Sequence, residues 1–470
     1  MKRRLIAYIG VFIFGWGVLH QASIYAQTRS TVSETSSDTV LYGKTPEEYE
    51  PYNRFVKPYK RFFIDTLVYP GYGRHIPEPE HIDTVKIGFI GPIIGSVSEP
   101  GESPKIELKV NQRVIRWDGY RASHLAPIGI KMLQGAQLAV EQANARGGYL
   151  GKIPYGLIVR NDNGDWRSSG REVIMLAYKD SVWAIMGTVD GANSHIAIRA
   201  ALKAEIPIMN TADTDPTYVE TNIPWVFRCI TDDRQMCYLL ADFAFKKLGL
   251  KRIAALRAIN RYGRMSIDEF RDAATRLGRP FLVELQYQEG DTDFTKQLQR
   301  IQSLNADGII TYGNSRESAL ILRQMRNMGM NQWFFGSDRM VTSELIDIVG
   351  DNHGKVAAGY PYNPTRKDPA YLKFIEDFRK RFNDSPETYA AHAFDGMNMI
   401  ITAIEKAGLN RALIRDELVR MSNYEGVTGK KELDAVFSDR SPATLAILKK
   451  GKFEFYNQEE IFSENFQLNN

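Results

Sequence analysis

The 470-residue chain holds only two cysteines, Cys229 and Cys237, and seven histidines. Two thiols cannot supply a disulfide framework, and a single bridge between them stays open, because the sequence does not say whether their α-carbons come within reach. The histidines show no His-x-x-x-His or Glu-flanked spacing, so no metal centre is expected. There is no Gly-x-Ser-x-Gly elbow and no glycine-rich phosphate loop with a lysine, which removes the common signatures of hydrolases and nucleotide-binding enzymes. Asn161-Asp162-Asn163-Gly164-Asp165 has the flavour of a calcium loop, but its glycine is misplaced and no glutamate closes it; a strand-end turn is the expectation. Neither a catalytic residue nor a cofactor is expected.

Charge of one sign is also missing, with 60 Lys and Arg against 56 Asp and Glu. Three of the positive charges, Lys2, Arg3 and Arg4, precede an apolar stretch from Leu5 to about Leu19 and small residues up to Ala26. That order predicts a secretory signal peptide, residues 1–26, cut after Ala26 and delivering the chain to the periplasm. Gly10, Gly15, Gly17 and His20 interrupt the stretch, which falls short of the roughly 20 apolar residues a membrane-spanning helix needs. Without this segment the chain is near neutral, with no electrostatic footprint for nucleic acid.

Residues 27–83, Ser/Thr-rich and then Tyr- and Pro-rich, show neither helical nor alternating periodicity and read as an irregular N-terminal arm. From Val85 onward, short apolar runs alternate with amphipathic stretches, the pattern of parallel sheets covered by helices. Two such series predict an α/β fold of two lobes. The first lobe spans 84–229, the second 230–357; helices over 358–436 return to the first lobe, and strands over 437–470 belong mainly to the second. Several crossings between lobes make a hinge. A long stretch after the first strand, residues 93–128, is expected to hang over the gap between lobes, with Trp117 either a lid or a packed side chain.

The opening strand Val85-Lys86-Ile87-Gly88, the helix Gly135-Ala136 to Asn144-Ala145-Arg146-Gly147-Gly148, Ile185-Met186-Gly187-Thr188, Arg261-Tyr262-Gly263 and Phe335-Gly336-Ser337-Asp338 stand in a telling order. In that order the chain resembles the type I periplasmic binding proteins of the leucine/isoleucine/valine-binding family, over roughly residues 84–456. The resemblance implies that a small solute binds between the lobes, at the C-terminal ends of strands, for a membrane permease of an ABC transporter, by a monomeric protein. It places Asp190, Gly191, Ala192 and Asn193 where the family receives a ligand carboxylate on hydroxyls and backbone N–H groups. Asp213 and Thr214 fall in the next contact loop, Tyr262 matches a cleft tyrosine, Arg316 lies in a further cleft loop, and Asp338 matches the acid that pairs with the ligand's ammonium.

Two departures weigh on ligand chemistry. Gly191 and Ala192 replace hydroxyl residues, and Asp190 and Asp213 add carboxylates that would repel an acidic end. An amine, amide, polyol or urea-like solute fits these better than a branched-chain amino acid. Each residue also has a plainer role open to it: Asp213 and Asp215 suit a turn before Pro216, Asn193, Ser194 or Asp338 a helix cap, and Tyr262 ordinary packing. A sensory receptor of the same fold, passing ligand occupancy to a membrane partner, is the alternative to transport.

Overall fold

The computed structural model describes residues 67–93, 106–110, 113–117, 124–351, 353–421 and 423–468. The expected signal peptide, most of the arm and the side chain of Trp117 lie outside them. No helix among the described residues is long and apolar enough to cross a membrane.

The first sheet is wholly parallel, in the order β4 (Tyr155–Asn161), β1 (Val85–Gly91), β5 (Ile185–Met186), β6 (Ile208–Asn210), β7 (Val226–Arg228). Its strands are buried almost throughout, as continuous apolar runs between helical layers must be. A β2 (Ile106–Val110) and β3 (Arg113–Trp117) hairpin follows β1. The polar-apolar mixture of 93–128 had masked this pairing in the sequence.

The second sheet runs β9 (Val283–Tyr287), β8 (Ile253–Ala258), β10 (Gly308–Tyr312), β11 (Trp333–Gly336), β12 (Val356–Tyr360), all parallel. It closes with antiparallel β15 (Thr444–Lys449) and β16 (Lys452–Tyr456). β12 is inconspicuous in the sequence because its centre is Ala357-Ala358-Gly359. That smallness is required: a Cβ on Gly359 would meet the Met236 Cβ at 2.6 Å. A small two-stranded ladder, β13 (Tyr424–Gly426) with β14 (Gly429–Lys431), precedes β15.

Helix Thr388–Ala407 packs on helix Ala126–Ala145 of the first lobe, so closely that a Cβ on Gly135 would lie 2.0 Å from the Ala390 carbonyl. Three chain segments therefore cross between the sheets, and one hydroxyl ties them: Thr231 donates to the carbonyls of Pro361 at 2.9 Å and Ser441 at 3.0 Å. Beside it the fully buried Arg228 donates to the Asp215 carbonyl at 2.7 Å, to Asp232 at 2.8 Å and to the Ser438 hydroxyl at 3.1 Å. The described end of the arm lies on the first lobe: Tyr69 packs edge-on against Trp225 at 4.8 Å, and Arg74 pairs with Asp416 at 2.6 Å.

Cys229 and Cys237 are both buried and free. Cys229 faces the Met399 sulfur at 3.6 Å, whereas Cys237 sits 2.9 Å from the Tyr312 hydroxyl. The Asp162 turn is closed by its own chain, one carboxylate oxygen taking the Gly164 N–H and the other the Ser169 hydroxyl. His392 is a buried core side chain hydrogen-bonded to the Thr388 carbonyl at 2.7 Å.

Candidate functional site

The loops after β5 and β6 in the first lobe face those after β8 and β11 in the second. All four leave the C-terminal ends of parallel strands, where open sheets present binding groups. They meet through Asp215 with Arg261 and Asp190 with Arg339, among side chains that are mostly buried.

From the second lobe comes Asp338, buried, at the start of a short turn after β11. The Tyr262 hydroxyl donates to its Oδ1 at 3.2 Å, and the Tyr389 hydroxyl, from the helix that returned to the first lobe, donates to Oδ2 at 2.6 Å. Burial pushes this carboxyl above its usual range, while the Tyr389 hydrogen bond and the neighbouring Arg339 pull the other way. Arg339 is the residue that sequence reasoning passed over, although it directly follows Asp338. Its guanidinium lies on the Tyr262 ring, 3.5 Å from the centroid, donates to Asn314 at 3.2 Å and stands 3.8 Å from Asp190 across the gap. A buried guanidinium stacked on an aromatic face and beside two carboxylates is held by every one of these contacts. Arg316, by contrast, is exposed on helix Ser315–Asn327, and the structure does not bring it into this group.

The first lobe contributes mostly acceptors. Asp190, and not Asn193 or Ser194, caps helix Gly191–Ala204, its Oδ1 taking the Ala192 N–H at 3.0 Å. The hydroxyls of Thr188 and Ser194 bond each other at 2.7 Å, and Asn210 reaches the Thr188 carbonyl at 2.9 Å. Asp213 is 1% exposed. Its Oδ1 takes the Asp215 N–H at 3.1 Å, the turn role, while Oδ2 has no hydrogen-bond partner among the described residues. Burial first, then the charge of Asp215, push its carboxyl up to about 7. Thr214 and Asn193 are buried here as well, Gly191 and Ala192 lie at the helix start, and within the second lobe, where Tyr262 is also buried, Asp233 receives the Ser266 hydroxyl at 2.6 Å. The backbone of Trp117 ends β3.

At the mouth, Arg261 of the second lobe bridges to the first: Nε to Asp215 at 2.8 Å and Nη2 to the Thr217 hydroxyl at 2.7 Å, with the His195 Nε2 at 3.2 Å. Burial lowers the His195 pKa, against the pull of Asp215. Gly191 permits the approach, since a Cβ there would meet Asp215 Oδ2 at 2.8 Å and Arg261 Nε at 3.1 Å. Gly191→Leu is accordingly expected to hold the lobes apart and enlarge the radius of gyration in small-angle X-ray scattering with unchanged circular dichroism. An unchanged radius would show that the lobes do not meet at this point.

Two α/β lobes, joined by crossings and bringing tyrosines, carboxylates and the guanidinium groups of Arg339 and Arg261 together where they meet, define a two-lobed binding-protein fold. The chain belongs to the periplasmic binding protein family, whose sequence pattern matches residues 119–442. It is a family of binding proteins rather than enzymes. The Leu/Ile/Val-binding protein homolog 1 of Brucella abortus is 26% identical over 289 residues, 61% of this chain and 76% of that protein. A leucine-, isoleucine-, valine-, threonine- and alanine-binding protein of Pseudomonas aeruginosa is 23% identical over 355 residues, 75% and 86% of the two chains. Among solved structures, the branched-chain amino acid transporter substrate-binding protein LivJ of Streptococcus pneumoniae, in complex with isoleucine, superposes with a TM-score of 0.69 at 22% identity. That match covers 80% of this chain and 99% of LivJ, and the shared fold is the two-lobed type I arrangement.

Proposed function

We propose that the protein captures a small polar solute, an amino acid, amide or urea-like molecule, between its lobes in the periplasm and presents it to the permease of an ABC transporter. The observation that carries this reading is that Asp338 and Tyr262 of the second lobe and Thr214 and Asp213 of the first are all buried beside the Asp190–Arg339 and Asp215–Arg261 contacts that join the two lobes. Closure around a guest stabilises the closed form only by the differential affinity of that form, which a desolvated gap maximises. The family supports an extracytoplasmic site of action, and the predicted signal peptide supports export. The relatives bind branched-chain amino acids by name and support a transport role.

The test is a thermal-shift screen of the purified protein against amino acids, their amides, urea and polyamines, followed by calorimetry on each hit. A specific solute is expected to raise the melting temperature, and Asp338→Ala and Thr214→Ala are expected to weaken it at least tenfold. Equal affinity of parent and both variants would place binding elsewhere.

A further inference from the structure

Of the two carboxylates that distinguish this first-lobe surface, the structure discharges one and leaves the other open. Asp190 is spent: one oxygen caps its own helix, and the other faces Arg339 at 3.8 Å. In doing so it also puts a negative charge where the helix start would otherwise attract an anion, and it takes the Ala192 N–H. The Thr188 and Ser194 hydroxyls already satisfy each other. Asp213 keeps a buried oxygen without a partner among the described residues, as do Asp233 with its Oδ1 and Asn193 with its amide nitrogen, and a buried acceptor left unpaired costs free energy until a donor reaches it. The near cation, Arg261, is committed to Asp215 and the Thr217 hydroxyl and does not serve Asp213.

We infer that Asp213 is a specificity-determining residue that makes the first-lobe half of the cleft a seat for an N–H donor, so that the solute presents there a neutral amide or a cationic nitrogen and not a carboxylate. This rests on the proposed solute capture and narrows its ligand class. The physical reason is discrimination by unpaired charge: a carboxylate brought against Asp213 would set two anions together in a desolvated site, whereas an amide N–H₂ fills the open acceptor. A second cue agrees, since the buried guanidinium of Arg339 stands on the second-lobe side over Tyr262.

The experiment compares matched pairs, each amino acid with its own C-terminal amide (leucine and leucinamide, and so on through the side chains), by calorimetry at pH 8 on the full protein. The parent is expected to bind at least one amide tenfold or more tightly than its free acid. Asp213→Ala should reverse or abolish that preference, and Asp213→Asn, which keeps the shape and the hydrogen bond from the Asp215 N–H, should at least halve it on a logarithmic scale. A parent that prefers the free acid, or folded Asp213 variants that keep the amide preference, overturns the assignment. Tight binding of free acids with Asp338 still essential would overturn it while leaving solute capture standing; failure of every acid, amide, urea and polyamine to bind would overturn both.

Discussion

Replacing Arg339 with methionine is expected to abolish solute binding and to make the protein's stability strongly dependent on pH. The guanidinium is the buried cation between Asp190 and Asp338, and removing one member of a buried charge group while leaving the others costs about 3–5 kcal/mol. Methionine keeps much of the volume and still packs on the Tyr262 ring, so the loss is one of charge. The sign follows from Asp338, whose folded-state pKa burial already raises. Without Arg339 it rises further, so the variant's stability is fully present at low pH and is lost as pH climbs through the folded value. The gap in melting temperature between parent and Arg339→Met should therefore widen from pH 5 to pH 8. A constant gap, or parent-like binding by the variant, would show that Arg339 does not balance the cleft carboxylates.

Arg228→Met is expected to have the largest effect on folding itself. This guanidinium is buried at the crossing of the lobes and joins the loop carrying Asp215, the segment carrying Asp232 and the returning strand segment at Ser438. Losing it leaves Asp232 buried with its cation gone and a carbonyl without its donor. The expected cost is again about 3–5 kcal/mol, read as a lower urea midpoint at unchanged slope. A shift of under about 1 kcal/mol, the scale of an exposed ion pair, would mean that the crossings are held by packing alone.

The two-lobed plan was legible because parallel strands buried on both faces leave continuous apolar runs such as Val85–Gly91 and Gly308–Tyr312, and amphipathic helices leave theirs. What escaped notice was what small residues conceal. β12 carries Ala357, Ala358 and Gly359 because the Met236 side chain crosses it closely, and such a strand has no apolar run to read. The candidate site divided in the same way. Asp213 and Thr214 follow β6, Tyr262 follows β8 and Asp338 follows β11, so all four lie beyond strand ends, where a positional resemblance placed them. Asp213 takes the turn role with one oxygen, and its other oxygen has no hydrogen-bond partner among the described residues. Arg339 was not legible, since an arginine one residue past an acid reads as a solvated charge until the Tyr262 ring is seen beneath it. The mirror case is Arg316, whose loop position suggested the cleft but whose helix turns it to solvent.

The most direct measurement is a crystal structure of the protein with the solute that most raises its melting temperature. The account predicts density for one intact molecule between the β5–β6 loops and Asp338, in contact with Asp213, with Arg261 still on Asp215. Density on the outer face of either lobe, or a solute cleaved in the crystal, would contradict it.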